Sequence, residues 1–201
     1  AGLKTFDTVS GGKPIAKHDF TTMSEDELAG FFRGLHPGAL SAGKQLAESF
    51  GLDRRRHLLD VAGGSGGVAI GACMHAPGLT ATVVELPTIA RIAEGYVTDA
   101  GLGDRVKVMA ADLIKHVPDG TFDVAIMRFF LQVLSAEQAR RALCHVGDVI
   151  EPGGEIHILG YILDDTRLAP RGALCLNLVF LNVYDDGQAY TVGEYQAWLN
   201  E

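Results

Sequence analysis

Five short apolar runs, spaced along the middle of the chain, constrain its fold more than any other feature. They are "HLLDV" (57–61), "ATVVEL" (81–86), "RVKVMAAD" (105–112), "FDVAIM" (122–127) and "EIHILGYI" (155–162). Their apolarity is continuous instead of alternating, the pattern of strands buried on both faces. Helical stretches separate them: "VAIGACMHA" after the first run, "TIARIAEGYVTDA" after the second, and residues 135–150 before the fifth. Strands alternating with helices predict an α/β protein built on a parallel sheet with helices on both sides.

Local signals fix the helix boundaries. Three capping boxes are present, at Ser24/Glu27, Ser135/Gln138 and Thr191/Glu194, each pairing a hydroxyl with a side-chain acceptor three residues on. The first predicts a helix up to Pro37, followed by a second helix over 40–50 that stops at Gly51. Pro87 suits a first helical position, and "EPGG" (151–154) reads as the exit turn before the fifth strand. A late apolar helix is expected over 173–184, and the sequence ends inside helical "GEYQAWLNE". Residues 1–22 are polar and turn-rich and read as a linker.

A chain of 201 residues, 47% hydrophobic and 21% charged, is ordinary for one globular domain with a single core. The net charge of −8 argues against a nucleic-acid surface, and Arg54-Arg55-Arg56 reads as a solvated lead-in to a strand. No apolar stretch reaches the about 20 residues needed to span a bilayer, and the N-terminus lacks a signal-peptide pattern. Cys73, Cys144 and Cys175, an odd number in apolar surroundings, read as reduced core residues of a cytoplasmic protein. Neither nucleic acid nor a membrane is therefore an expected partner.

The loop "AGGSGG" (62–67) joins the first strand to a helix. Glycines there permit a tight turn and close approach of a ligand to the positive end of that helix. The stretch from Gly64 to Ala69 also satisfies a dinucleotide fingerprint, with Glu85 about 20 residues on, so an NAD-binding oxidoreductase is one reading. Glu85, ending the second strand, suits a ribose diol in either reading. Asp112, ending the third, faces the same crevice and suits an adenine amino group.

The order of these features, with "VVELP", "AADL", "FDVAIMRFFLQVLSAEQ" and "IEPGGEI", resembles class I S-adenosylmethionine-dependent methyltransferases. More narrowly it is similar to the small-molecule O-methyltransferases of plants and bacteria called family 2. The resemblance runs from "FFRGLHPGAL" through "EYQAWLNE" and implies a Rossmann-like, doubly wound sheet of five parallel strands in the order 3-2-1-4-5. It implies that Gly63, Gly64 and Gly66 hold the methionine part of S-adenosylmethionine and that Glu85 takes the ribose, where the family usually has aspartate. Asp112 and Leu113 would flank the adenine with Arg128 beside it, and Leu86 and Ala111 line the same pocket. Ala62 replaces the first glycine of the family's triple, and Leu35 stands at a position often Met. The family also implies an N-terminal dimerisation domain before the 1–22 linker, a homodimer built through it, and a C-terminal hairpin beyond a domain that spans 23–201 here.

The resemblance implies a histidine base at position 132, supported by glutamates. This chain has Gln132 there, with Gly160 and Ala189 at the matching support positions. An amide orients by hydrogen bonding but does not take up a proton. Three explanations stay open. The acceptor could ionise unaided; His36 could serve as base; or the cofactor could be bound for C-methylation, other chemistry or a scaffold role. His116, His145 and His157 show no metal-ligand spacing, and Phe129 and Phe130 read either as pocket wall and core or as a stacking cage.

Overall fold

The computed structural model describes residues 5–20 and 22–201; positions 1–4 and 21 of the expected linker lie outside the described residues. The chain divides into two compact units. The larger comprises Phe20–Arg128 and His145–Ile158, and the smaller comprises the residues up to Asp19, Phe129–Cys144 and Leu159–Glu201.

The sheet has five strands: β1 (His57–Val61), β2 (Thr80–Glu85), β3 (Val106–Ala110), β4 (Phe122–Arg128) and β5 (Ile150–Leu159). Their order is β3-β2-β1-β4-β5, the one the resemblance implies. Central β1 pairs in parallel with β2, Leu58 opposite Ala81, and with β4, Leu58 opposite Val124. Phe122 N–H donates to Val149 O and Phe129 N–H to Leu159 O, so β5 runs parallel to β4. Leu58, Leu59, Val83, Val84, Val124, Ala125, Ile126 and Met127 are all buried, which is why the strands read as unbroken apolar runs.

The fifth strand starts earlier than the sequence suggests. "EPGG" is part of β5 and not a turn before it, and β5 uses ten residues where β4 uses seven. The surplus is absorbed at Gly153 (φ 83°) and Gly154, where a Cβ would lie 3.0 Å from Asp123 O. Arg55 pairs with Glu155, and Arg56 reaches Glu151 at 2.6 Å, so the arginine run is tied to this strand.

The two helices expected over 24–50 are one 26-residue helix, α2 (Glu25–Phe50), with Pro37 inside it. Proline removes one helical donor, yet its fixed φ is helical. The buried face of Leu28, Phe32, Ala39, Gly43, Leu46 and Ala47 continues across it and holds the helix together. Ser24 and Glu27 form the expected capping box, and Gly51 at φ 63° ends the helix. Helix α3 (Gly67–His75) crosses α2 at very short range. A Cβ on Gly43 would lie 2.2 Å from Val68 O, and one on Gly71 would lie 2.2 Å from Leu40 O. Helices α4 (Pro87–Asp99) and α5 (Ala136–Gly147) follow β2 and β4.

In the smaller unit, the stretch read as a linker forms a short helix, α1 (Thr5–Gly11). It is tied to α6 (Arg171–Val183): Thr8 Oγ1 donates to Asn182 Oδ1 at 2.7 Å, and Asn182 Nδ2 donates to Thr5 Oγ1 at 3.0 Å. The final helix, α7 (Val192–Leu199), starts at the predicted Thr191/Glu194 box. Of the three cysteines only Cys73 is buried; Cys144 and Cys175 are exposed, because each sits on the solvent side of its helix. Among the described residues no helix is long and apolar enough to cross a membrane.

Glycine in α2 thus does two different things. Gly43→Ala should lower stability by about 1–3 kcal/mol, because the methyl group has no space against Val68 O. Gly34→Ala, with nothing within 4 Å of the added carbon, should raise it by about 0.5–1 kcal/mol. Urea unfolding of both variants checks the contrast.

Candidate active site

In the larger unit, residues 62–66 turn the chain from β1 into α3 through three left-handed residues, Ala62 (φ 50°), Gly64 (φ 59°) and Gly66 (φ 70°). Two of its positions, Gly63 and Gly64, have no room for a side chain. A Cβ on Gly63 would lie 2.7 Å from Asp60 Cγ, and one on Gly64 would lie 2.8 Å from the Phe32 ring. Gly66 is the N-cap of α3 and has no side chain to accept a helical N–H. Asp60, 1% exposed on β1, supplies the acceptor: Ala69 N–H donates to its Oδ2 at 3.0 Å. The sequence analysis missed Asp60. Its signal was a lone acid inside the apolar run "HLLDV".

Glu85 stands at the carboxyl end of β2 and is 7% exposed. Its Oε2 accepts Gly64 N–H at 2.9 Å and its Oε1 accepts Leu86 N–H at 2.8 Å. Glu85 therefore pins the glycine turn as well as bordering it, and each oxygen keeps a lone pair for a ligand hydroxyl. Burial pushes its carboxyl above the usual range, against the pull of these two N–H bonds. Burial raises Asp60 to about 7, opposed by the Ala69 N–H, reinforced by the nearby Glu85 charge and opposed again by Arg128.

The other predicted cofactor residues share this edge of the sheet. Ala111 N–H donates to Glu85 O at 2.9 Å. Asp112 Oδ1 accepts Ile114 N–H at 3.1 Å, and its Oδ2 pairs with Lys115 at 2.8 Å. Leu113 is buried, its carbonyl accepting from His145 Nδ1 at 2.7 Å. Arg128 ends β4. The carboxyl ends of parallel strands are where open α/β sheets bind ligands, and the structure brings all of these residues there.

His36, on α2, also belongs to the larger unit. Its Nδ1 is 2.8 Å from Ser65 Oγ and its ring stacks on Tyr96 with centroids 3.9 Å apart. Burial lowers its pKa. The ring packs α2 onto α4 and the glycine loop, and one of its two nitrogens is engaged there. Leu35, its neighbour, is half exposed.

Gln132 lies in the smaller unit, in a single 3₁₀ turn, Leu131–Val133. It is 5% exposed, and its Oε1 accepts Tyr161 N–H at 3.1 Å. A Cβ on Gly160 would lie 2.6 Å from that same oxygen. Phe129 takes a left-handed φ of 57° and stacks on Tyr161, with centroids 5.5 Å apart and planes 17° from parallel. Ala189 is buried, its N–H donating to Asn177 Oδ1 at 2.8 Å. Tyr161, unlike Asp60, carried no signal in the sequence.

Two outcomes follow from the turn. Asp60 has an ordinary value of 3.8 and sits at about 7 when folded. Between those values the unfolded chain releases a proton that the folded chain keeps, so folding weakens as pH rises through the window and is flat above it. The stability of wild type relative to Asp60→Asn should fall on the order of 3–4 kcal/mol from pH 4 to pH 7, read by urea unfolding at each pH. Ala62→Gly should raise stability by about 1 kcal/mol in the same assay, by relieving a left-handed Cβ.

Comparison with known proteins places this architecture. A family model described as an O-methyltransferase domain matches residues 4–201. The 3-hydroxy-5-methyl-1-naphthoate 3-O-methyltransferase of Streptomyces sahachiroi is 30% identical over 190 residues, 94% of this chain and 55% of that protein. Aclacinomycin 10-hydroxylase of Streptomyces purpurascens is 39% identical over 113 residues, 56% of this chain and 30% of that protein. The solved structure of human N-acetylserotonin methyltransferase in complex with S-adenosylmethionine has the same fold, with a TM-score of 0.83 at 22% identity, covering 98% of this chain and 59% of that one. The chain spans about half the length of the curated naphthoate relative it matches. Because that family model runs over nearly the whole chain, the chain belongs to the O-methyltransferase domain family.

Proposed function

We propose that this chain binds S-adenosylmethionine and methylates a hydroxyl group of a small aromatic molecule. The observation that carries the reading is the glycine turn held between two buried carboxylates, Asp60 and Glu85, at the carboxyl edge of the sheet. A glycine-lined turn edged by carboxyl acceptors suits a ligand with an amino-acid end and a ribose, and the family match favours that ligand over NAD. Gly63, Gly64 and Gly66 would admit the methionine part, Glu85 with Leu86 the ribose, and Ala111, Asp112, Leu113 and Arg128 the adenine. When bound, the cofactor supplies a methyl group already activated on a sulfonium.

The protein's share is then to orient the acceptor, exclude water and leave the acceptor oxygen ionised. Gln132 does not take the proton: it is an amide, and its oxygen is occupied by Tyr161 N–H. A plain phenol has a pKa of about 10, so this chain is suited to acceptors whose hydroxyl is more acidic. The aromatic naphthoate named for one relative supports the substrate class. We place the protein in the cytoplasm, in secondary metabolism, as a homodimer acting on a small molecule.

A second reading is favoured by the same Gln132 geometry: cofactor binding without O-methylation, in C-methylation, other chemistry or a scaffold role. The similarity to a relative named as a hydroxylase supports it.

Calorimetry tests the cofactor assignment. S-adenosylhomocysteine should bind and NAD should not, and Glu85→Ala or Asp112→Ala should each weaken binding by about 1–3 kcal/mol through lost hydrogen bonds. Binding of NAD alone would move the chain to the oxidoreductases, and unchanged affinity in both variants would reject the site. Turnover of acidic naphthols to their methyl ethers separates O-methylation from the second reading.

A further inference from the structure

We propose that Phe129 and Tyr161 form a stacking surface for the flat aromatic ring of the acceptor, and that Gln132 is the positioning residue that holds it. The inference rests on the methyl-transfer reading and names what that reading leaves open, the part of the chain that selects the acceptor.

Four observations within the smaller unit converge. The two rings are nearly parallel, 17° apart, yet 37% and 40% exposed. Large aromatic side chains normally bury their faces, and an exposed parallel pair offers one more planar group a place to stack. Phe129 holds a left-handed φ of 57°, a conformation costly for a bulky residue and concentrated at ligand sites. Phe129 N–H donates to Leu159 O at 2.8 Å, which fixes the ring's backbone at the carboxyl ends of β4 and β5. Tyr161 is fixed by the buried Gln132 amide, whose Oε1 accepts its N–H.

Gly160 makes that clamp possible. Any side chain there would put a carbon 2.6 Å from Gln132 Oε1 and push the amide off the Tyr161 backbone. Gln132 therefore acts through Tyr161: it orients a ring and touches no reacting atom. The surface is apolar and planar, so it fits an aromatic acceptor and not an aliphatic or sugar hydroxyl.

The test is calorimetry on the full chain with two probes, 3-hydroxy-1-naphthoate and S-adenosylhomocysteine. Tyr161→Ala and Phe129→Gly should each weaken naphthoate binding about tenfold and leave S-adenosylhomocysteine within twofold. Phe129→Gly relieves the left-handed backbone while removing the ring, so it keeps the test open if Tyr161→Ala fails to fold. Gln132→Leu should weaken naphthoate binding similarly, whereas Gln132→Glu, which keeps an acceptor oxygen for Tyr161 N–H, should restore it. A purely structural role for Gln132 would lower the melting temperature without this split between the two probes. Naphthoate affinity unchanged in Tyr161→Ala and Phe129→Gly overturns the proposal, as does a wild type that binds S-adenosylhomocysteine but no naphthoate. An equal loss of S-adenosylhomocysteine affinity would assign the rings to the cofactor and overturn it too. A wild type that binds no S-adenosylhomocysteine overturns the methyl-transfer reading itself.

Discussion

The N-terminus of α3 has no capping side chain of its own, because Gly66 occupies the N-cap. A carboxylate from the adjoining strand supplies the missing acceptor. Asp60 takes Ala69 N–H, and Glu85 takes the N–H of Gly64. Removing either acceptor would leave a buried donor unpaired, at about 1–3 kcal/mol. Much of the larger unit is arranged around that turn. Phe32 of α2 closes on Gly64, Ala39 on Gly67, and Gly43 and Gly71 bring the helix backbones together. The same two acids that complete the turn thus do the work of a capping side chain from neighbouring strands.

Burial of two acids side by side raises both carboxyls. Each keeps a backbone N–H as partner, Ala69 for Asp60 and Gly64 and Leu86 for Glu85. Strain of a different kind sits at Ala62 and Phe129, the left-handed non-glycine residues next to β1 and β4. Both follow strands at the edge where parallel sheets bind ligands. Ala62 and Glu85 thus place unfavourable backbone and a buried acid at strand ends, and Asp60 adds a second buried acid inside β1.

That division explains what the sequence made legible. Strands buried on both faces have no choice but continuous apolarity, so β1, β2 and β4 were readable, and capping boxes name their own helix starts. The single α2 was not readable, because Pro37 is a local stop signal overridden by a face that packs across it. The opening of β5 was hidden by "EPGG", a turn-like string that serves as surplus length within the strand. Position at strand ends put Glu85 and Asp112 forward, and the family resemblance put Arg128 forward. Asp60 and Tyr161 escaped because their roles are partnerships with residues far along the chain, or with backbone groups that no side-chain pattern reveals.

Gln132 shows the limit most clearly. The sequence establishes that the residue is an amide where the family resemblance implies a base; only the structure shows where its oxygen is used. That oxygen meets the backbone of Tyr161, 29 residues away, through a space that exists because position 160 has no side chain. A base at 132 needs its acceptor atom facing the substrate and a partner to orient it, whereas this amide faces the chain's own backbone and its neighbour is glycine. The two positions are therefore consistent with each other and not with proton transfer. In the proposed reading, the site's contribution lies in holding a flat acceptor whose own acidity supplies the nucleophile, and orientation alone is a sufficient role because the electrophile is already activated.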